Sequence, residues 1–198
     1  MSDMIKAIIG AGGFAREIKA QMKQPYMISF VSDEYWSENS DNILPLSKFD
    51  SKRFIVVVAI ADPTLRKNLI SNLPLDTKYF TFIHPTAQIL DSNIEIGEGS
   101  IICPNCILTT NIKLGKHTHL NLSTTIGHDC VIGDFFTTAP GAKISGNCNI
   151  GSEVYLGTNC SVREKLSICD KVIIGLNAGV VKNILESGVY VGVPAKKK

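Results

Sequence analysis

Residues 126–146 read Ile-Gly-His-Asp-Cys-Val-Ile-Gly-Asp-Phe-Phe-Thr-Thr-Ala-Pro-Gly-Ala-Lys-Ile-Ser-Gly. Ile126, Ile132, Thr138 and Ile144 stand six residues apart, an interval that an amphipathic helix of period 3.6 does not keep. Extending the step both ways gives Ile96, Ile102, Leu108, Leu114 and Leu120 on one side, and Ile150, Leu156, Val162, Ile168, Ile174 and Val180 on the other. Fourteen of these fifteen positions are Ile, Leu or Val, so one register runs without insertion from 96 to 185. Glycine follows the aliphatic residue at 97, 115, 127, 133, 151, 157 and 175, where the chain bends and tolerates little side chain. Seven glycines at one phase also argue against a helix. Four residues past each aliphatic come mostly small or apolar residues, among them Cys106, Cys130, Ala142, Cys148 and Cys160. Two inward positions per six, one aliphatic and one generally small, are what a narrow triangular prism of stacked short strands needs.

The period also explains four of the six cysteines as small interior fillers. Cys103 and Cys106 come nearest to a metal-binding pair, yet no matching second pair exists, and neither a metal nor a disulfide framework is expected. With 198 residues, 44% hydrophobic, 19% charged and a net charge of +2, the composition suits one or two globular domains. It gives no sign of a nucleic-acid surface. Met1 to Ile9 is too short and wrongly flanked for a signal peptide, and no run approaches a membrane span, so a cytoplasmic location is expected. Lys196-Lys197-Lys198 is the sole charge run, read either as a solvated end or as an anion contact.

Outside the repeat, Met4 to Ile9 reads as a buried strand entering Gly10-Ala11-Gly12-Gly13-Phe14-Ala15, followed by a helix to about Lys23. Further strands are expected at Met27 to Val31, Phe54 to Ile60 and Tyr79 to Ile83, with a second helix over Pro63 to Leu73. The glycine turn fits G-x-G-x-x-A, and Asp33 lies about twenty residues beyond it, which is the dinucleotide pattern. Only about eighty residues precede the repeat, roughly one mononucleotide half, so a single nucleotide moiety is expected at Gly10, Gly12 and Gly13. Ser32 and Asp33 close the second strand, where the carboxylate would accept from a ribose or base. A tight turn with no ligand is the alternative. The expected division is residues 1–83, an α/β nucleotide-sugar-binding domain, and residues 84–198, the repeat.

A half-Rossmann domain joined to a hexad solenoid resembles the bacterial sugar acyltransferases of the sialic-acid O-acetyltransferase and bacillosamine N-acetyltransferase type. The resemblance rests on Gly10-Ala11-Gly12-Gly13, on Asn121-Leu122-Ser123-Thr124-Thr125-Ile126-Gly127-His128-Asp129-Cys130-Val131-Ile132-Gly133, and on Gly192-Val193-Pro194-Ala195-Lys196. It implies a left-handed parallel β-helix in which three hexads make a coil of about eighteen residues, and hence about five coils. It implies acetyl-CoA as cosubstrate, a nucleotide-linked amino sugar as acceptor, and a homotrimer with active sites between solenoids. By the same resemblance His128 is the general base with Asp129 beside it, Gly146 donates to the oxyanion, and Asn121 contacts substrate. Lys182, Lys196 and the segment holding Pro194 would lie near the coenzyme phosphates. The hexad phase independently turns His128 outward, two positions past Ile126.

Two positions depart from the family. Thr137 stands where a second histidine often contacts the acyl group, and Phe14 replaces a histidine in the glycine turn. His84, His117 and His119 are expected to have structural or solvent roles. The leading expectation is therefore an N-acetyltransferase acting on a nucleotide-linked (UDP, dTDP or GDP) 4-amino-deoxy sugar. A sialic-acid-type O-acetyltransferase and a non-catalytic solenoid or NAD-binding module remain the alternatives.

Overall fold

Fifteen six-residue steps of apolar periodicity become two-residue strands separated by four-residue corners. The computed structural model describes residues 4–24, 27–38 and 42–198. Its solenoid has three faces. The first stacks Phe82–Ile83, Ile101–Ile102, His119–Leu120, Thr137–Thr138, Tyr155–Leu156 and Val172–Ile174, and ends with Gly188–Val191 and the antiparallel Lys196–Lys197. The second runs from Gln88–Ile89 to Gly179–Val180 and the third from Glu95–Ile96 to Ser167–Ile168. Every solenoid pairing but that last one is parallel, and between Glu95 and Val180 partners stand eighteen residues apart, as Ile126 does from Ile144. Adjacent strands in such a stack lie about 4.8 Å apart.

Both inward positions fill the interior as expected. Of the aliphatic series, every member from Ile102 to Val180 is buried, and so is every member of the small series from Ser100 to Ile184. The exceptional Thr138 is reconciled with the interior by hydrogen bonding. Its hydroxyl pairs with that of Thr124 at 2.7 Å and accepts from the Asn121 amide at 3.0 Å, so a polar atom is buried with its partners. The repeat also starts earlier than its six-residue register. Phe82–Ile83 already pairs with Ile101–Ile102, and seven residues separate Ile89 from Ile96, so a one-residue insertion hides the first strands from a strict step of six. The solenoid thus begins two residues before the expected boundary at 83/84.

Preceding it, a parallel sheet is built from β1 (Ile5–Ile9), β2 (Ser29–Val31), β3 (Ile43–Pro45), β4 (Phe54–Val58) and β5 (Lys78–Tyr79), in the order β3-β2-β1-β4-β5. Helices α1 (Gly13–Gln21) and α2 (Pro63–Ser71) provide the crossovers after β1 and β4. Strand β3 was not anticipated from sequence, because Ile43-Leu44-Pro45 is short and ends in proline; it is tolerated because β3 is the edge of the sheet. The helices are shorter than expected, ending at Gln21 and Ser71 rather than near Lys23 and Leu73. Helix α2 starts where it does because the Asp62 carboxylate accepts from the Leu65 amide and Pro63 occupies the first turn. Among the described residues no helix is long and apolar enough to cross a membrane.

One buried cation bonds to both domains at their junction. Arg66 of α2 is fully buried and donates to the carbonyls of Ile60, Ala61, His117, Phe135 and Phe136 and to the Thr137 hydroxyl. Burial lowers its pKa to about 9, which still leaves it charged at neutral pH. Around it His117 packs between Tyr79 and Phe135, and His119 packs on Phe14. Both imidazoles are buried, so their outward phase meets the α/β domain instead of solvent, and their role is structural. Desolvation, and next the Arg66 charge, push the His117 pKa down to about 4; His119 is depressed in the same direction by the same two causes.

The sign of the resulting pH dependence follows directly. The unfolded chain takes up a proton on His117 below its ordinary value of 6.5, whereas the folded chain refuses it until about pH 4. Stability is therefore full above the ordinary value and lost progressively between the two, by up to about 3 kcal/mol for this residue. His117 has φ 55°, a conformation asparagine also adopts readily. Urea unfolding of wild type and His117→Asn between pH 7.5 and 4 should show the wild type losing more stability than the variant; parallel pH profiles would contradict it.

Candidate active site

From Gly99 to Asn177 each solenoid corner contains a residue with positive φ, and Asp129, at φ 59°, occupies it in the corner between the second and third faces. Aspartate and asparagine enter this conformation more easily than other non-glycine residues. The turn throws His128 and Asp129 outward, with side chains 56% and 43% exposed. His128 Nδ1 lies 2.7 Å from Asp129 Oδ2, while Asp129 Oδ1 accepts from Asn111 Nδ2 at 2.6 Å. The Asn111 bond, and next the His128 bond, hold the Asp129 pKa below the usual carboxylate range. An ionised carboxylate has no proton to give, so Nδ1 carries the hydrogen, and in the neutral ring Nε2 then presents its lone pair.

Nε2 faces Gly146, the residue one coil further on. A Cβ built on Gly146 would lie 2.6 Å from Nε2 and 2.7 Å from Cε1, so only glycine leaves room for the ring. The Gly146 carbonyl is used by the Lys165 amide, but its N–H has no acceptor among the described residues. In the corner between the third and first faces the corresponding amides are occupied: Asp134 accepts from Lys116, Ser152 from Asp134, and Asp170 from Ser152. Gly146 is itself buried, with the exposed His128 ring packed over it, so a basic nitrogen and an amide without an acceptor among the described residues lie side by side. Such a pair can take a proton and stabilise a developing oxyanion.

The other expected site residues separate into three groups. Lys182 follows Val180 by two, as His128 follows Ile126, so it lies on the same edge three coils away, about 14 Å along the stack. Pro194 and Lys196 belong to the terminal segment, which is tied to that end by bonds from Gly179 N to Gly192 O and from Ala195 N to Gly179 O. All three are exposed. Asn121 lies in the preceding corner of the His128 coil, where its Oδ1 accepts from Leu122 N. Thr137 is displaced from any such role. It is 2% exposed on the first face, and its hydroxyl accepts from Arg66 at 2.9 Å, so the α/β domain covers the position where an acyl contact was expected.

Gly10, Gly12, Gly13 and Ser32 converge on a cleft of about 530 Å³ at the carboxyl ends of β1, β2 and β4, where Phe14, Tyr35 and Ala59 also line it. Gly10 has φ 123°, and a Cβ there would lie 2.9 Å from the Ala59 carbonyl, so this turn requires glycine for close approach of two strands. Helix α1 has no side-chain cap at Gly12 and no acid in its first turn, which leaves its first amides open to an anion. Asp33 begins a 3-10 turn beside the cleft, and its Oδ1 accepts from Ser47 N at 3.0 Å, so one carboxylate oxygen is already engaged. Asn111 was missed by motif reading; its signal is the spacing of eighteen that sets it beside Asp129.

Residues 7–73 match the family described as PglD N-terminal domain. A GDP-perosamine N-acetyltransferase of Escherichia coli O157:H7 is 30% identical over 171 residues, covering 79% of this chain and 77% of that protein. WeeI from Acinetobacter baumannii AYE is 32% identical, with a TM-score of 0.88 over 98% of this chain and 99% of that one. The acetyltransferase domain of PglB from Neisseria gonorrhoeae FA1090, solved in complex with acetyl coenzyme A, is 26% identical with a TM-score of 0.85, and each chain is fully covered.

The close approach at Gly146 gives a local test. Gly146→Ala should cost no more than about 1 kcal/mol of stability, because its backbone conformation is an ordinary one, yet it should turn the His128 ring out of the corner. A crystal structure of the variant with the ring unmoved would contradict this account.

Proposed function

Because this chain belongs to the acetyl-CoA-dependent sugar N-acetyltransferases of the left-handed β-helix, hexapeptide-repeat superfamily, we propose that its acceptor is the amino group of a nucleotide-linked 4-amino-deoxy sugar and that His128 is the general base. The observation that carries the reading is the packing of His128 Nε2 against Gly146, whose N–H has no acceptor among the described residues, with Asp129 bonded to Nδ1. Acetyl-CoA supplies an electrophilic carbonyl and a thiolate leaving group. As the sugar nitrogen bonds to the acyl carbon, Nε2 takes the proton that the nitrogen releases, and the Gly146 N–H holds the charge on the carbonyl oxygen. Asp129 stabilises the imidazolium so formed, and the imidazolium returns its proton as the bond to sulfur breaks. No covalent acyl-enzyme is required.

The coenzyme would follow the edge from His128 toward Lys182, Lys196 and Pro194, with its phosphates at the basic end. The cleft at Gly10, Gly12, Gly13 and Ser32 would hold the nucleotide, with Asp33 at its margin, and Asn121 would touch the sugar. Support for an active site shared between subunits comes from the shape of one chain. The α/β domain covers the first face and the corner between the third and first faces, through Phe14 on His119, Arg66 on Thr137 and Lys67 on Glu153. His128 occupies the corner opposite that face, so a nucleotide in the cleft of one chain would reach the His128 of a neighbour, as in a homotrimer. A cytoplasmic location supplies both substrates.

His128→Ala should fold and bind as wild type while turnover falls at least about a hundredfold. The check is acetyl transfer from acetyl-CoA to a panel of nucleotide-linked 4-amino sugars, with thermal shifts by the same panel to identify the nucleotide. Wild-type turnover in that variant removes the base, and transfer only to free hydroxylated sugars replaces the acceptor.

A further inference from the structure

Asn111 and Asp129 stand one coil apart, both with positive φ, at 50° and 59°. The preference of asparagine for that conformation could account for its presence at many corners, and Asn105, Asn147, Asn159 and Asn177 share it. Of these corner asparagines, however, Asn111 is the one whose side chain donates to a carboxylate among the described residues. The carboxylate it meets is the one bonded to His128, and the two contacts fall on different oxygens: Nδ2 of Asn111 on Oδ1 at 2.6 Å, Nδ1 of His128 on Oδ2 at 2.7 Å.

A half-exposed carboxylate bonded through a single oxygen would rotate about its terminal torsion, which is broad and shallow. Bonding at both oxygens fixes its plane, and with it the ring that leans on it. The donor must also be neutral. A lysine would compete with the imidazole for the charge, and an acid would repel Asp129. Resting on the reading of His128 as base, we propose that Asn111 is a positioning residue of the transfer site, whose amide aligns Asp129 so that His128 holds Nε2 against Gly146. The other acids on this edge are Asp91, bonded to Thr110 in the coil above His128, and Glu164 two coils below it. Neither makes a hydrogen bond to Asp129 or His128.

Two substitutions separate this role from corner geometry. Asn111→Gly keeps the positive φ at no steric cost and removes the amide. It should lower kcat about tenfold while both KM values stay within about twofold, the pattern of a group acting through another. The His128 Nδ1–H proton resonance, sharp and downfield in the wild type, should broaden. Asn111→Asp keeps the corner and replaces the donor with negative charge, which stabilises the imidazolium, so the acid limb of the kcat/KM profile should move to higher pH. Wild-type kcat with an unchanged imidazole resonance in Asn111→Gly would overturn the proposal, as would an unmoved acid limb in Asn111→Asp. Failure of the base assignment is a separate result. If His128→Ala turned over normally, the resonance in Asn111→Gly would still decide whether Asn111 orients the ring.

Discussion

Stacking at eighteen residues per coil is the constraint on which the molecule depends. Each position lies over the one a coil earlier, about 4.8 Å away, and hydrogen-bonds to it through the backbone. The interior accepts one aliphatic and one generally small residue per six, and a polar atom enters it only with partners, as Thr138 does with Thr124 and the Asn121 amide. The same rule acts outside. Side chains eighteen apart meet whether or not sequence motifs connect them, which is how Asn111 reaches Asp129 and how His128 comes to cover Gly146.

The site is made as much by what is missing from the stack as by what is present. Equivalent amides in the neighbouring corner are occupied by Asp134, Ser152 and Asp170, which stabilises those coils and closes them to ligands. At Gly146 no acceptor among the described residues takes the N–H, and the residue is buried with the exposed His128 ring over it. Asp129 costs little to keep ionised there, because it is exposed and bonded twice.

Arg66 sets the relation between the domains. A buried guanidinium is costly unless every donor is used, and the carbonyls at Ile60, Ala61, His117, Phe135 and Phe136 use them. The carbonyls of Ile60 and Ala61 are local to Arg66, but those of His117, Phe135 and Phe136 are supplied only where its helix meets the solenoid corner, so the charge is fully satisfied only in the docked arrangement. That arrangement covers Thr137 on the first face and leaves exposed the His128 corner, which lies between the second and third faces.

The sequence by itself determined the solenoid, its inward residues and the outward phase of His128, since a period of six survives only when one backbone geometry repeats. It also marked the glycine turn, because close approach of β1 and β4 admits no Cβ at Gly10. Tertiary structure alone decided the burial of His117, His119 and Thr137, the edge strand β3 and the Asn111 bond. Those outcomes depend on which surfaces face each other, and an outward phase says only that a side chain leaves the coil, not whether water or a second domain receives it.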